Sequence, residues 1–161
     1  MRTPWELASA AYGPQKGADP DQVARLGRRL DRLAAALPRD PRGVPMSGGA
    51  GGLAGGLWAS FNAELVPGAA YVCDLLDFDR RAREADVVIT GEGRLDDTTL
   101  EGKVVAEVAG RARQAGTAVH AVVGSVSGDP GLPAAIGLAA VHQVSTPADI
   151  ERVANELPSS L

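Results

Sequence analysis

Residues 87–90, Val-Val-Ile-Thr, form a β-branched run set between the acidic stretch Glu84-Ala85-Asp86 and the glycines Gly91 and Gly93. A short apolar run bounded by turn signals suits a strand buried on both faces, as in a parallel sheet. Ligands of open α/β sheets sit beyond the carboxyl ends of such strands, so the stretch 91–102 is where a site is expected. Gly91 and Gly93 flank Glu92, and glycine permits both positive φ and close approach of the backbone to a ligand. Backbone N–H groups presented beside a helix start cradle phosphate. Arg94 and Lys103 supply positive charge, while Glu92, Asp96 and Asp97 are candidate Mg²⁺ ligands. That mixture suits phosphoryl transfer, in which catalysis is mostly positioning and charge neutralisation. The same residues also suit ordinary turns and helix caps. Val104 follows Gly102-Lys103 where a Walker-type loop needs Ser or Thr, so that motif is absent.

The rest of the chain reads as helices and short strands. Thr3-Pro4-Trp5-Glu6 has the form of a capping box opening a helix to about residue 11. Gln15-Lys16-Gly17 follows as an exposed turn. Asp19-Pro20-Asp21-Gln22 opens a second helix, whose Val23, Leu26, Leu30, Leu33 and Leu37 predict a core-facing apolar stripe. Gly48-Gly49-Ala50-Gly51-Gly52 leads into a third, with Leu53, Leu57, Phe61 and Leu65 at steps of four. Its glycines imply close packing or a ligand at the helix N-terminus. No strand precedes this run, so it is not a dinucleotide fingerprint. Residues 69–76 and 78–84 read as one or two short helices, 103–115 as a helix ended by Gly116, and 118–123 as the next strand of a parallel β-α-β unit. Residues 124–129 make a second candidate ligand loop. The segment 135–138 is ambiguous, 140–144 is a third strand, and Thr146-Pro147-Ala148-Asp149 starts a closing helix.

Composition sets bounds on function. The 161 residues, 45% of them hydrophobic, suffice for a core, and only 4% are aromatic, so Ala, Val and Leu must build it. A net charge of −4 argues against a general nucleic-acid binder. Arg25, Arg28, Arg29 and Arg32 cluster on one predicted helix among acidic neighbours and read as a solvated face. Cys73, the one cysteine, lies in an apolar run and reads as a buried structural thiol. No apolar run approaches the roughly 20 residues of a membrane span and no signal-peptide core follows Met1, so a cytoplasmic protein is expected. His120 and His142 fall on predicted strands with no further ligand at metal-site spacing, and neither is assigned a catalytic role.

The run from Ile89 to Asp96, continued by Thr98-Thr99-Leu100 and Gly102-Lys103, closely resembles the signature of the bacterial glycerate kinases of the glyoxylate and glucarate pathways. Two further stretches match in order: Tyr12-Gly13-Pro14-Gln15-Lys16-Gly17-Ala18, and the glycine-rich run 48–57 followed by Ala63-Glu64-Leu65. The resemblance spans nearly the whole chain but only the carboxyl-terminal part of the family pattern, whose amino-terminal motifs have no counterpart here. Asp97 and Glu101 stand where the family often has a small or neutral residue and a His, and negative charge there weakens anion binding.

The resemblance implies a layered α/β/α fold with a small, mainly parallel sheet, part of a two-domain glycerate kinase-like architecture. Residues 1–46 would form a helical segment with the Gly-Pro-Gln-Lys-Gly turn, and 47–161 the glycine-rich helix and β-α-β unit. It implies ATP- and Mg²⁺-dependent phosphorylation of D-glycerate to phosphoglycerate. Asp96, Arg94 and Lys103 would be catalytic; Gly91, Glu92, Gly93, Thr98 and Gly102 would hold the nucleotide; Gln15 and Lys16 would contact substrate; Asp96 and Glu92 would bind metal. The alternative is a truncated inactive remnant, or a subunit of a split kinase that binds a phosphorylated ligand or a partner chain supplying the missing half. Neither nucleic acid nor membrane is an expected partner.

Overall fold

The computed structural model describes residues 2–101 and 103–157, with the side chains of Thr98 and Glu101 outside that description. The chain divides into two compact units, Met1–Pro67 and Gly68–Leu161. The glycine-rich helix falls in the first unit, where it packs with the amino-terminal helices.

In the first unit a 3₁₀ turn, Trp5–Leu7, leads into α1 (Ala8–Tyr12). A second turn, Pro14–Lys16, precedes α2 (Pro20–Ala36), and a third, Gly49–Gly52, leads into α3 (Leu53–Phe61). Trp5 organises the core: its backbone N–H donates to Ser47 Oγ at 2.8 Å, and its indole Nε1 donates to the Leu30 carbonyl at 3.0 Å. The expected cap at Thr3 does not form. The Thr3 hydroxyl instead accepts from the Tyr12 hydroxyl, and Glu6 accepts from the Gly43 N–H. The box at Asp19 and Gln22 forms in full.

The apolar stripe expected on α2 faces the core only in part, and the large residues of the stripe on α3 lie outside. Leu26 and Leu33 are exposed, as are Leu53, Leu57 and Phe61. Buried or half-buried positions of α2 are Val23, Gly27, Leu30 and Ala34, with Leu37 half-buried at its C-cap, and on α3 the buried positions are Gly55 and Ala59. Small residues let the helices approach closely. A Cβ on Gly55 would lie 2.7 Å from both the Ser47 carbonyl oxygen and the Trp5 ring. Close packing therefore accounts for Gly52 and Gly55.

The second unit is α/β. Helices α4 (Gly68–Leu75) and α5 (Phe78–Arg83) precede β1 (Val87–Leu95), followed by a 3₁₀ turn, Asp97–Glu101, and α6 (Val104–Ala115). Strand β2 (Ala118–Val126), α7 (Leu132–Ile136), β3 (Ala140–Gln143) and α8 (Pro147–Glu156) complete it. The sheet has three strands in the order β1-β2-β3, all parallel. Against one face pack Val105, Ala109 and Ala112 of α6 with Leu132 and Ile136 of α7. On the other, Val153 and Leu157 pack with Val144 and Val122, while Ile89 is left 54% exposed. Gly116 ends α6 at φ 82°, and Thr146 with Asp149 caps α8 in a reciprocal box.

Candidate active site

Strand β1 does not break at its glycines. Gly91 pairs with Val122 within the ladder, and neither Gly91 nor Gly93 has positive φ. A Cβ on Gly91 would sit 2.5 Å from the Val122 carbonyl oxygen, and one on Gly124 would sit 2.7 Å from that of Gly93. Two of the glycines thus allow β1 and β2 to approach closely. The expected phosphate-facing turn at 91–93 is strand, and the loop begins only at Asp96.

Extending the strand carries Glu92 to the sheet end beside the 3₁₀ turn. There Thr99, fully buried, ties three pieces together. Its hydroxyl donates to Glu92 Oε1 at 2.7 Å and accepts from the Asp96 N–H at 3.2 Å, while its own N–H donates to the Asp96 carbonyl at 2.8 Å. Lys103, at the N-cap of α6, places Nζ 3.4 Å from Glu92 Oε2 and 3.3 Å from Asp96 Oδ1. All three charged side chains are about three-quarters or more buried, at 25%, 14% and 24% exposure for Lys103, Glu92 and Asp96. Two carboxylates and one ammonium therefore converge at the carboxyl end of the sheet, where the interaction is stronger than at a wet surface.

The structure brings together Glu92, Asp96 and Lys103 of the residues expected from sequence. Arg94 is exposed at the end of β1 and makes no ion pair among the described residues. Gly93 is open on its Cβ side. Gly102 and the Thr98 side chain lie outside the described residues. Gln15 and Lys16 belong to the amino-terminal unit, where Gln15 Nε2 donates to the Ala11 carbonyl at 3.1 Å. Asp97 turns to the neighbouring loop and accepts from the Asp129 N–H at 3.3 Å, joining the two candidate ligand loops. Thr99 was not among the expected site residues. Its signal is the Asp96-x-x-Thr99 spacing, which favours local side-chain to backbone bonds.

The oxygen-only pair Glu92 and Asp96 has the chemistry of a hard-cation site. Among the described residues no group of three or more His, Cys, Asp or Glu side chains is placed to hold a metal ion. The pair fits Mg²⁺ in its usual manner, through one or two carboxylates plus substrate phosphates. No helix among the described residues is long and apolar enough to cross a membrane.

The sequence model of the Glycerate kinase family matches residues 6–161. The chain is 40% identical over 123 residues to a glycerate kinase of Halalkalibacterium halodurans, covering 74% of this chain and 32% of that protein. It is 35% identical over 143 residues to the glycerate 2-kinase of Escherichia coli, covering 86% of this chain and 38% of that one. A crystal structure described as "putative glycerate kinase 2 from Salmonella typhimurium LT2" matches with a TM-score of 0.57 at 37% identity, over 92% of this chain and 40% of that one. The chain spans about two-fifths or less of the length of these relatives. With the family pattern covering nearly all of it, and its signature residues meeting at the end of a parallel strand, the chain belongs to the glycerate kinase family.

Proposed function

We propose that the chain carries the phosphoryl-transfer site of a glycerate kinase that phosphorylates D-glycerate with ATP. The observation that carries this reading is the Lys103 bridge between Glu92 and Asp96, held by the buried Thr99. In this reading the glycerate hydroxyl oxygen attacks the terminal phosphorus of ATP, the bond to the ADP oxygen breaks, and Asp96 takes the hydroxyl proton. Lys103 leaves its carboxylate pair to hydrogen-bond the phosphoryl oxygens, and Arg94 binds the glycerate carboxylate. Glu92 and Asp96 would hold Mg²⁺, which when bound supplies charge neutralisation at the phosphate oxygens. Gly93, Thr98 and Gly102 would line the nucleotide phosphates, and Gln15 and Lys16 would contact substrate.

Glycerate-dependent release of ADP, measured by a coupled assay, tests the assignment. Asp96→Ala and Lys103→Ala are each expected to lower turnover by about 100-fold or more, the scale of a lost acid–base or charge-stabilising group. Unchanged turnover in either variant would sink the role given to that residue.

A second reading is favoured by the coverage of only 32–40% of the relatives' length. In it the chain supplies this site to an enzyme that turns over only together with the family's remaining segments. Turnover that arises only when those segments are supplied supports it; turnover by the chain alone rules it out.

A further inference from the structure

The amino-terminal unit contains a groove of about 970 Å³ between α1 with its following turn and α2. Lys16, Arg25, Arg28, Arg29 and Arg32 all line it, and among the described residues no Asp or Glu does. This occurs in a chain whose net charge is −4. All five cations are exposed, and none forms an ion pair among the described residues. Asp21 and Asp31 lie on the same helix, yet neither lines the groove. The four arginines fall at helical steps of three and four, so they share one face and reach along about 10 Å of helix axis at about 1.5 Å per residue. Leu26, Leu30 and Leu33 lie beside them as apolar lining.

We propose that this groove binds a run of linked phosphates, carried by a nucleoside triphosphate or by free polyphosphate. A single phosphate cannot span four guanidinium groups spread over that length, whereas a chain of them neutralises all. Arginine predominates over lysine, as suits bidentate recognition of phosphate oxygens. The volume lies at the upper end of small-molecule sites, about 300–1,000 Å³. Single-stranded nucleic acid is disfavoured, since it binds on rows of aromatic rings and Tyr12 is the one ring lining this groove. The proposal stands apart from the phosphoryl-transfer cluster of Glu92, Asp96, Thr99 and Lys103, which belongs to the other unit, and Lys16 is the one groove residue that the proposed function also uses.

Calorimetric titration of the whole chain with tripolyphosphate, in EDTA so that no metal bridges the carboxylates, is the test. Expected are one-to-one binding, weakening as salt rises from about 50 to about 200 mM because the charges are exposed, a loss of at least tenfold in R25Q/R29Q, and no change in K103A. All substituted arginines are exposed, so the variants are expected to fold. ATP binding as tightly as tripolyphosphate, with adenosine inert, assigns the site to a nucleotide; tripolyphosphate binding well above ATP assigns it to polyphosphate. Absence of binding at millimolar ligand, wild-type affinity in R25Q/R29Q, loss in K103A instead, or preference for an acidic peptide or oligonucleotide would each overturn the proposal.

Discussion

Thr99 is the residue on which the local arrangement turns, and it is also the site residue that sequence reasoning passed over. Its hydroxyl satisfies Glu92 and the Asp96 N–H at once, and its side chain is fully buried. Thr99→Val keeps the shape and removes both bonds. Leaving buried polar groups unpaired costs about 1–3 kcal/mol each way it is measured, so urea unfolding should show a loss of that size. An unchanged midpoint would mean that the hydroxyl is not shared as described. The glycines of β1 give a second contrast. Gly91→Ala forces a Cβ to 2.5 Å from the Val122 carbonyl oxygen, whereas Gly93→Ala meets nothing within 4 Å. Gly91→Ala should therefore destabilise by about 2 kcal/mol or more, the range of overpacking. Gly93→Ala should leave stability within about 0.5 kcal/mol of the parent and lower turnover if a phosphate passes over that position. The charge pattern at 91–103 was legible because residue type alone gives the charges that Glu92, Asp96 and Lys103 bring together. The function of each glycine was not, because close strand approach and a ligand cradle ask for the same residue.

At the scale of elements, caps were easier to read than contact faces. The Asp19 box depends on residues three apart and formed as expected, and the helix start expected at Thr146 is closed by a box of the same spacing. The Thr3 box failed because Tyr12 and the Gly43 N–H, both distant in sequence, compete for its two side chains. The stripe of α2 was misread at Leu26 and Leu33 for a different reason: the large residues were expected to face inward, while small residues, Gly27 and Ala34 on α2 and Gly55 and Ala59 on α3, take inward positions. Gly55→Ala should accordingly cost about 1–3 kcal/mol through its collision with Trp5 and Ser47, and Leu26→Ser should cost less than about 0.5 kcal/mol. Equal effects in thermal unfolding would refute the assigned faces. The cap of α8 makes a pH prediction. Hydrogen bonds from the Ser145 N–H, then from the Thr146 hydroxyl and N–H, hold the Asp149 carboxyl below its ordinary value of 3.8. A folded-state value below the unfolded one means that the stabilisation is complete above pH about 4. It is lost as pH falls through the lowered value. Protection of the α8 amides relative to their intrinsic exchange should fall in that acid range, and in Asp149→Ala it should already be low at neutral pH.

Across the whole molecule, the parallel α/β class followed from β-branched runs alternating with helix signals, and the boundary at Pro67 did not. That boundary depends on Trp5 meeting Gly52 and Gly55 across nearly fifty residues of chain, which no local pattern announces. The second unit has its own core: Leu95, Val105, Ala121, Val123, Leu132 and Ile136 form one cluster, and Ala109, Ala112 and Val119 another. Its ladder, β1 to β2 to β3, is complete within residues 87–143. The Glu92, Asp96, Thr99 and Lys103 cluster lies wholly inside that unit as well. A fragment of residues 68–161 is therefore expected to unfold cooperatively, and Thr99→Val should lower its melting temperature by at least about 4 °C, the shift of about 1 kcal/mol in a domain of this size. The free-energy loss should equal that in the full chain, because effects at sites without shared partners add. A fragment without a cooperative transition would show that this unit draws its stability from residues 1–67; a cooperative fragment insensitive to Thr99→Val would show that the cluster needs them to form.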